Sequence, residues 1–129
     1  MYNTLEEAMR GGGRLRRGKY GVAPAADRRW RGRTYDSKAE MLYAQTLHAG
    51  GMYEVVEQPA VRLGEDTVYR PDFLVIDLAT VQAWYVDVKG VETREFRRVR
   101  RLWEKYARLP LHIVRRGSTA EIIVPREVG

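Results

Sequence analysis

The sequence contains no cysteine and only two histidines, His48 and His112. The lack of cysteine excludes disulfide bonds and zinc sites built from thiolates. With so few histidines, no His-based metal motif and no Ser-His-Asp order is available, and we expect His48 at a helix end and His112 in a strand. No apolar run approaches the roughly 18 residues of a membrane span, and the N-terminus lacks the apolar region of a signal peptide. We therefore expect a soluble, cytoplasmic protein.

Positive charge is abundant and unevenly distributed. The 23 Lys and Arg residues exceed the 17 Asp and Glu residues by six, and residues 1–33 hold nine of the bases against three acids. The remaining chain is balanced, and arginine far outnumbers lysine. Because the planar guanidinium suits two-point contacts with phosphate, this pattern favours a nucleic-acid partner, although a solvated basic tail has the same composition. The candidate phosphate contacts in this stretch are Arg14, Arg16, Arg17, Lys19, Arg28, Arg29, Arg31 and Arg33.

The charge distribution also suggests how the chain is organised. At 129 residues it is long enough for one domain with a real core. Residues 2–10 could form a short helix that the glycines at 11–13 end, and the glycine- and arginine-rich stretch after them lacks periodicity. We therefore expect a flexible basic arm over residues 1–33, and a single domain over residues 34–129.

Within that domain the hydrophobic pattern predicts seven regular elements. A helix begins near Ser37 and ends at the glycines 50–51, and a second helix, starting near residue 93, ends at Pro110. Three strands lie between them, over 53–63 with an interruption at Pro59, over 68–76 and over 81–90, and two more follow the second helix. Short turns make the middle strands antiparallel, whereas the second helix can cross over to a parallel strand. The predicted fold class is α/β, with a mixed central sheet flanked by helices in the order α-β-β-β-α-β-β.

Three acids and a lysine fall at notable places in this layout. If the second and third strands form a hairpin, Asp72 and Asp87 become near neighbours on one face, which Lys89 shares, and Glu40 lies in the first turn of the first helix. Carboxylates that converge in a partly buried site repel one another unless a cation holds them. Oxygen ligands without cysteine or histidine favour Mg²⁺ or Mn²⁺.

The stretches "RPDF" and "VDVKG", with the glutamate of "DSKAE" upstream, resemble the PD-(D/E)xK nuclease superfamily. The wider layout is similar to small phage-encoded, nuclease-like proteins of the Holliday junction resolvase type. The resemblance implies the restriction-endonuclease-like fold and Mg²⁺-dependent phosphodiester hydrolysis in a bacterial or phage-infected cell. It further implies that Asp72, Asp87 and the Val88 carbonyl bind the metal ion, that Glu40 binds it directly or through water, and that Lys89 orients the attacking water.

Each of the acids and Lys89 also has a structural explanation; for Asp72 it is a turn residue after Pro71, although the strand that continues through residues 72–76 argues against a turn. Ser37 and Glu40 match a capping box, and Asp87 with Lys89 could form a solvent-facing charge pair on an edge strand. Gln58, before Pro59, is a weak candidate for the site because a packed polar role explains it as well. The bases of the second helix could contact phosphate or could simply be its solvated face; they are Arg94, Arg97, Arg98 and Arg101.

We therefore expect a metal-dependent endodeoxyribonuclease. The small size leaves no room for large recognition loops, and the resemblance implies selectivity for branched DNA in recombination or replication. Symmetric cutting of a junction needs two active sites, which a homodimer supplies. The alternatives are a non-catalytic DNA-binding module of the same fold, and a nuclease for linear or single-stranded DNA or for RNA.

The basic arm generates a first testable prediction. Deleting residues 1–18 should weaken DNA binding and reduce its salt dependence, because a protein that neutralises fewer phosphates releases fewer counterions. The slope of log K against log salt should fall by about 0.9 for each phosphate that the shortened protein no longer neutralises. Fluorescence anisotropy over a salt series measures this slope, and an unchanged slope would identify the arm as a passive tail.

Overall fold

The computed structural model describes residues 22–90 and 92–126. The chain divides into two compact units, residues 1–44 and residues 45–129. The helix predicted over residues 2–10, and the candidate phosphate contacts Arg14, Arg16, Arg17 and Lys19, lie outside the described residues.

The first unit contains regular structure before residue 34. A 3-10 helix over Ala25–Arg28 leads into strand β1 (Arg29–Trp30), which pairs with the antiparallel strand β2 (Arg33–Thr34). The two residues between the strands, Arg31 and Gly32, both have positive φ, as tight hairpin turns require. Regular structure therefore forms over residues 25–34, although the sequence there lacks periodicity.

Helix α1 (Lys38–His48) confirms the first predicted helix. The side chain of Ser37 accepts a hydrogen bond from the Glu40 N–H at 3.1 Å, so the predicted N-cap is formed. The helix ends at His48, and Gly50, with a φ of 80°, turns the chain out of the helical path. The first unit ends within this helix, at residue 44.

The second unit is built on a mixed five-stranded sheet and one long helix. In chain order its strands and helix are β3 (Tyr53–Glu57), β4 (Val61–Arg62), β5 (Val68–Tyr69), β6 (Phe73–Asp77), β7 (Ala83–Val88), α2 (Arg94–Tyr106), β8 (Leu111–Arg115) and β9 (Ser118–Ile123). The sheet order is β3-β6-β7-β8-β9, and β4 pairs only with β5. β7 and β8, joined by α2, are parallel, and the other pairs are antiparallel. The predicted α/β class with a mixed sheet is confirmed.

Two of the predicted strands are each divided in two. The stretch 53–63 breaks between β3 and β4, because Gln58 has a φ of 47° and Pro59 follows it. The stretch 68–76 breaks at Arg70 and Pro71, between β5 and β6. Both breaks release the chain from the main sheet, and the released segments pair with each other as β4 and β5.

Helix α2 packs on one face of this sheet through an apolar stripe. Thr93 caps its start by accepting a hydrogen bond from the Phe96 N–H, and Phe96, Val99 and Trp103 are buried at helical spacing. They form a core cluster with residues of the sheet and of the β4–β5 segment, namely Leu63, Leu111, Ile113 and Ile123. The indole N–H of Trp103 donates to the Leu109 carbonyl at 2.9 Å, so its one polar group is satisfied.

The register of the sheet determines which side chains lie under this helix. Asp87 lies opposite Ile113 in the pairing of β7 with β8, and Tyr85 lies opposite Leu111. Since side chains that face each other across a ladder share a face, Tyr85 and Asp87 lie on the same face as core residues that contact α2. Across residues 22–90 and 92–126, no helix has the length and apolar content needed to cross a membrane.

The core cluster generates a stability prediction. Replacing Trp103 with alanine should lower the free energy of unfolding by about 3–5 kcal/mol, because it leaves a cavity and removes the indole hydrogen bond. Arg97→Ala, on the exposed side of the same helix, should stay within about 0.5 kcal/mol of wild type. Urea unfolding of the two variants measures both values, and equal losses would contradict the packing of Trp103 in the core.

Candidate active site

Two carboxylates face each other where β6 begins. Phe73 pairs with Val86, so the next position along the hairpin places Asp72 opposite Asp87. The Asp72 N–H donates to Asp87 Oδ1 at 3.1 Å, and the Val88 N–H donates to Asp72 Oδ2 at 2.7 Å. Each carboxylate therefore binds the backbone of the other strand. The predicted proximity of Asp72 and Asp87 on one face is confirmed.

Asp87 is buried, with an exposed fraction of 2%. Its Oδ2 accepts a hydrogen bond from the Tyr69 hydroxyl at 2.5 Å and lies 3.8 Å from Lys89 Nζ. Lys89 Nζ also donates to the Tyr69 hydroxyl oxygen at 3.3 Å. The carboxylate, the phenol and the ammonium group thus form a compact polar cluster beneath α2.

Aromatic rings bound this cluster on the helix side. Lys89 Nζ lies 4.3 Å from the centre of the Phe96 ring, within the range of a cation–π contact. The Tyr69 ring packs against Phe96 and Trp103, with centroid distances of 6.3 Å and 6.5 Å. The positions of Lys89 and Tyr69 are therefore set by the same helix that covers the core.

β7 is the middle strand of the five, which excludes the interpretation of Asp87 and Lys89 as an edge-strand charge pair. A buried carboxylate has little contact with water, so its charge must be stabilised by neighbouring groups. The ammonium group, the phenol and a backbone N–H supply that stabilisation here.

Burial changes the protonation behaviour of the cluster. Desolvation raises the pKa of the Asp87 carboxyl above its ordinary value, while the charge of Lys89 and the hydrogen bond from Tyr69 oppose this rise. Desolvation, and next the charge of Asp87, raise the pKa of the Tyr69 phenol. Tyr69 therefore remains protonated and acts as a hydrogen-bond donor throughout the neutral range.

The donor atoms of Asp72 and Asp87 suit a hard divalent cation. Mg²⁺ is commonly held by one or two carboxylates, with water and substrate oxygens completing its coordination. Within the described parts of the chain, no group of three or more His, Cys, Asp or Glu side chains is arranged to hold a metal ion. Two carboxylates are a donor set that can hold Mg²⁺ together with water and substrate oxygens.

Three further residues were predicted as ligands or as part of the site, namely Glu40, Val88 and Gln58. Glu40 belongs to the first unit, where its side chain is buried and its N–H completes the Ser37 cap; its role as a metal ligand stays a prediction. The Val88 carbonyl as a ligand also stays a prediction. Gln58 is exposed, and its backbone N–H donates to the Asp72 carbonyl at 2.9 Å, so it supports the site through its main chain.

The predicted phosphate contacts fall into two groups. In the first unit, the guanidinium of Arg28 binds the carbonyls of Ala23 and Tyr35, and Arg31 lies over the Trp30 ring. Arg28 therefore holds the local backbone together. The other candidate phosphate contacts that the structure describes in this unit are Arg29 and Arg31, which are exposed, and Arg33, which is partly buried. On α2 the candidate bases are all exposed, namely Arg94, Arg97, Arg98 and Arg101, and Arg98 also donates to Thr67 Oγ1.

Tyr69 is the site residue that the sequence analysis missed. It precedes Asp87 by 18 residues and lies on β5, outside the main sheet, so no strand periodicity connects the two. A cleft of about 460 Å³ lies elsewhere in the second unit, near the end of α2. Its lining includes Arg62, Tyr106 and Arg108 and neither carboxylate of the pair.

The buried carboxyl generates a prediction about stability and pH. Because the pKa of the Asp87 carboxyl is raised in the folded state, the unfolded chain loses this proton first. The contribution of this carboxyl to stability should therefore fall as pH rises from about 4 through its folded-state pKa. Asp87→Asn removes this loss, so its Tm relative to wild type should increase between pH 4 and pH 7 without divalent ions.

Thermal melts over a pH series measure this effect. Asp66→Asn, at an exposed position between β4 and β5, is the matched control and should show no such trend. A Tm difference for Asp87→Asn that stays constant with pH would contradict the raised pKa.

Comparison with known proteins adds no relatives to this description. No protein-family model matches the chain, and no curated protein and no solved structure matches it significantly.

Proposed function

We propose that this protein is a divalent-metal-dependent endonuclease that hydrolyses DNA phosphodiester bonds, on a restriction-endonuclease-like core. The observation that carries this proposal is the arrangement of Asp72 and Asp87, with Lys89 beside Asp87. Each of the two carboxylates accepts a hydrogen bond from a backbone N–H of the opposite strand. Two carboxylates held rigidly by opposite strands, next to one cation, match the donor set and the charge that metal-assisted phosphodiester hydrolysis needs.

Asp72 and Asp87 would hold Mg²⁺ or Mn²⁺. When bound, the ion lowers the pKa of a water molecule and offsets the charge that develops on the phosphate. Lys89 would orient that water and add positive charge beside the phosphate, a task that suits an ammonium group already fixed by Phe96 and Tyr69. Glu40, as a further ligand, rests on the sequence pattern.

The exposed side of α2 supports DNA as the partner. Lys89 contacts Phe96 in the first turns of this helix, and Arg97 and Arg98 are its exposed neighbours in sequence. Exposed guanidinium groups of this kind suit contacts with a phosphate backbone. Such contacts position a backbone without reading bases, which favours selection by DNA shape.

The substrate we propose is therefore branched DNA from recombination or replication, cut by a homodimer. Two copies related by a two-fold axis would supply the two active sites that symmetric junction cutting requires.

One observation favours a second candidate, a DNA-binding module that does not cleave. Both oxygens of Asp87 already accept hydrogen bonds within the protein, and Lys89 lies close enough to neutralise its charge. These partners stabilise the carboxylate within the protein without a metal ion. The two candidates differ in whether added metal ions produce cleavage.

Cleavage of labelled DNA with Mg²⁺ or Mn²⁺ tests the proposal directly. Asp72→Asn, Asp87→Ala and Lys89→Met should each reduce the rate by at least about 100-fold, because each removes a group that stabilises charge in the transition state. Glu54→Gln, an exposed carboxylate of β3, is the control and should cleave like wild type. Cleavage that persists unchanged in Asp87→Ala would rule out this site.

The branch preference has its own test. Sizing the protein in solution should give a dimer, and a four-way junction should be cut faster than a flap or a linear duplex of the same sequence. A monomer that cuts all three at equal rates would contradict the preference and leave the general nuclease proposal intact.

A further inference from the structure

Tyr69 connects the two groups on which the proposed chemistry depends. It lies on the short strand β5, paired with β4 and outside the five-stranded sheet. Its hydroxyl donates to Asp87 Oδ2 at 2.5 Å and accepts from Lys89 Nζ at 3.3 Å. A phenol has one proton to donate and can accept as well, so it can make both bonds at once.

The ring of Tyr69 is held by packing. Phe96 and Trp103, both buried in the helix stripe, contact it from the side of α2. The hydroxyl is therefore directed at Asp87 by the core and not by a surface interaction. The hydroxyl proton can still rotate about the C–O bond while the ring keeps its place.

The hydroxyl also occupies an oxygen that a metal ion needs. Asp87 Oδ1 accepts from the Asp72 N–H, and Oδ2 accepts from Tyr69. The phenol proton takes one lone pair of Oδ2, and a cation that approaches along that lone pair has to replace the proton. On this approach the hydrogen bond to Tyr69 and the bond to a cation are in competition.

We propose that Tyr69 is a positioning residue that holds Lys89 in place and occupies Asp87 Oδ2 until a divalent cation displaces it. This inference rests on the proposed function. The proposal has two consequences of opposite sign. Tyr69 weakens metal binding, because the cation has to replace a hydrogen bond. Tyr69 also raises the turnover rate, because it orients Lys89. A purely structural role would lower both quantities together when Tyr69 is altered.

Tyr69→Phe separates the two effects, since it removes the hydroxyl and keeps the ring. Calorimetric titration of the full chain with Mn²⁺ should show about tenfold tighter binding in the variant, the scale of a hydrogen bond to a charged group. The turnover rate on DNA at saturating Mn²⁺ should fall by about tenfold or more. At saturating Mn²⁺ the turnover rate no longer depends on the affinity for the metal ion, so the two effects are measured separately.

Tyr85→Phe is the matched control. Tyr85 lies two residues before Asp87 on the same face of β7 and packs on Trp103 at 5.3 Å, but it makes none of the hydrogen bonds to Asp87. Its variant should change neither Mn²⁺ affinity nor turnover. A gain in affinity in both variants would show that removing a tyrosine hydroxyl acts through the core, and would overturn the inference.

The remaining outcomes distinguish this inference from the proposed function. Suppose that wild type binds Mn²⁺ and Asp72→Asn does not bind it. If Tyr69→Phe then binds Mn²⁺ no more tightly than wild type, Tyr69 does not compete with the cation, and only the inference about Tyr69 fails. If wild type does not bind Mn²⁺ and does not cleave DNA, both fail.

A second measurement uses wild type alone, in case Tyr69→Phe folds poorly. A phenol proton held in a hydrogen bond to a buried carboxylate is protected from exchange with water, and labelled tyrosine can assign its signal in NMR spectra. Titration with diamagnetic Mg²⁺ should remove or shift this signal with the same midpoint as metal binding. A signal that is unchanged at saturating Mg²⁺ would overturn the inference.

Discussion

The burial of the Asp87 carboxylate is the constraint on which the rest of the site depends. In the middle strand of a sheet, beneath a helix, this group has almost no access to water. Because an isolated buried charge is very unfavourable, partners must come from the protein itself. Lys89, Tyr69 and the Asp72 N–H are those partners, and each comes from a different part of the fold.

Helix α2 joins the core, the site and the basic surface. Phe96 is buried in the core cluster, and its ring also contacts the Lys89 ammonium group. Trp103 packs on Tyr69. The opposite side of the same helix carries exposed arginines. Changes in the apolar stripe therefore affect stability and site geometry together, whereas changes on the exposed side affect only the surface.

A buried acid beside a lysine is weak evidence that the pair stabilises the fold. Removing two charges from water costs about as much as their attraction returns, and apolar replacements are often neutral or stabilising. Burial indeed raises the pKa of Asp87 despite the nearby ammonium group. Ionisable groups with such unfavourable environments are concentrated at functional sites, which is why this cluster supports the proposed function better than any other feature of the described residues.

Local patterns in the sequence determined most of the second unit. The position of α2, and the hairpin that brings Asp72 opposite Asp87, follow from spacing and turn residues and were predicted. The interruption predicted at Pro59 is also present, and it begins at Gln58, which has a positive φ. The break at Arg70 and Pro71 was not predicted, because strand propensity continues through it.

The sequence by itself determined the order of the elements, the mixed sheet and the closeness of two acids, because periodicity and short turns are local properties. Only the tertiary structure decided that Tyr69 binds Asp87, that Phe96 lies beneath Lys89, and that Arg28 binds backbone carbonyls. The first two interactions join residues that periodicity does not connect, and the third depends on how the backbone folds around one guanidinium group. Such interactions form only when the chain packs, so no local pattern encodes them.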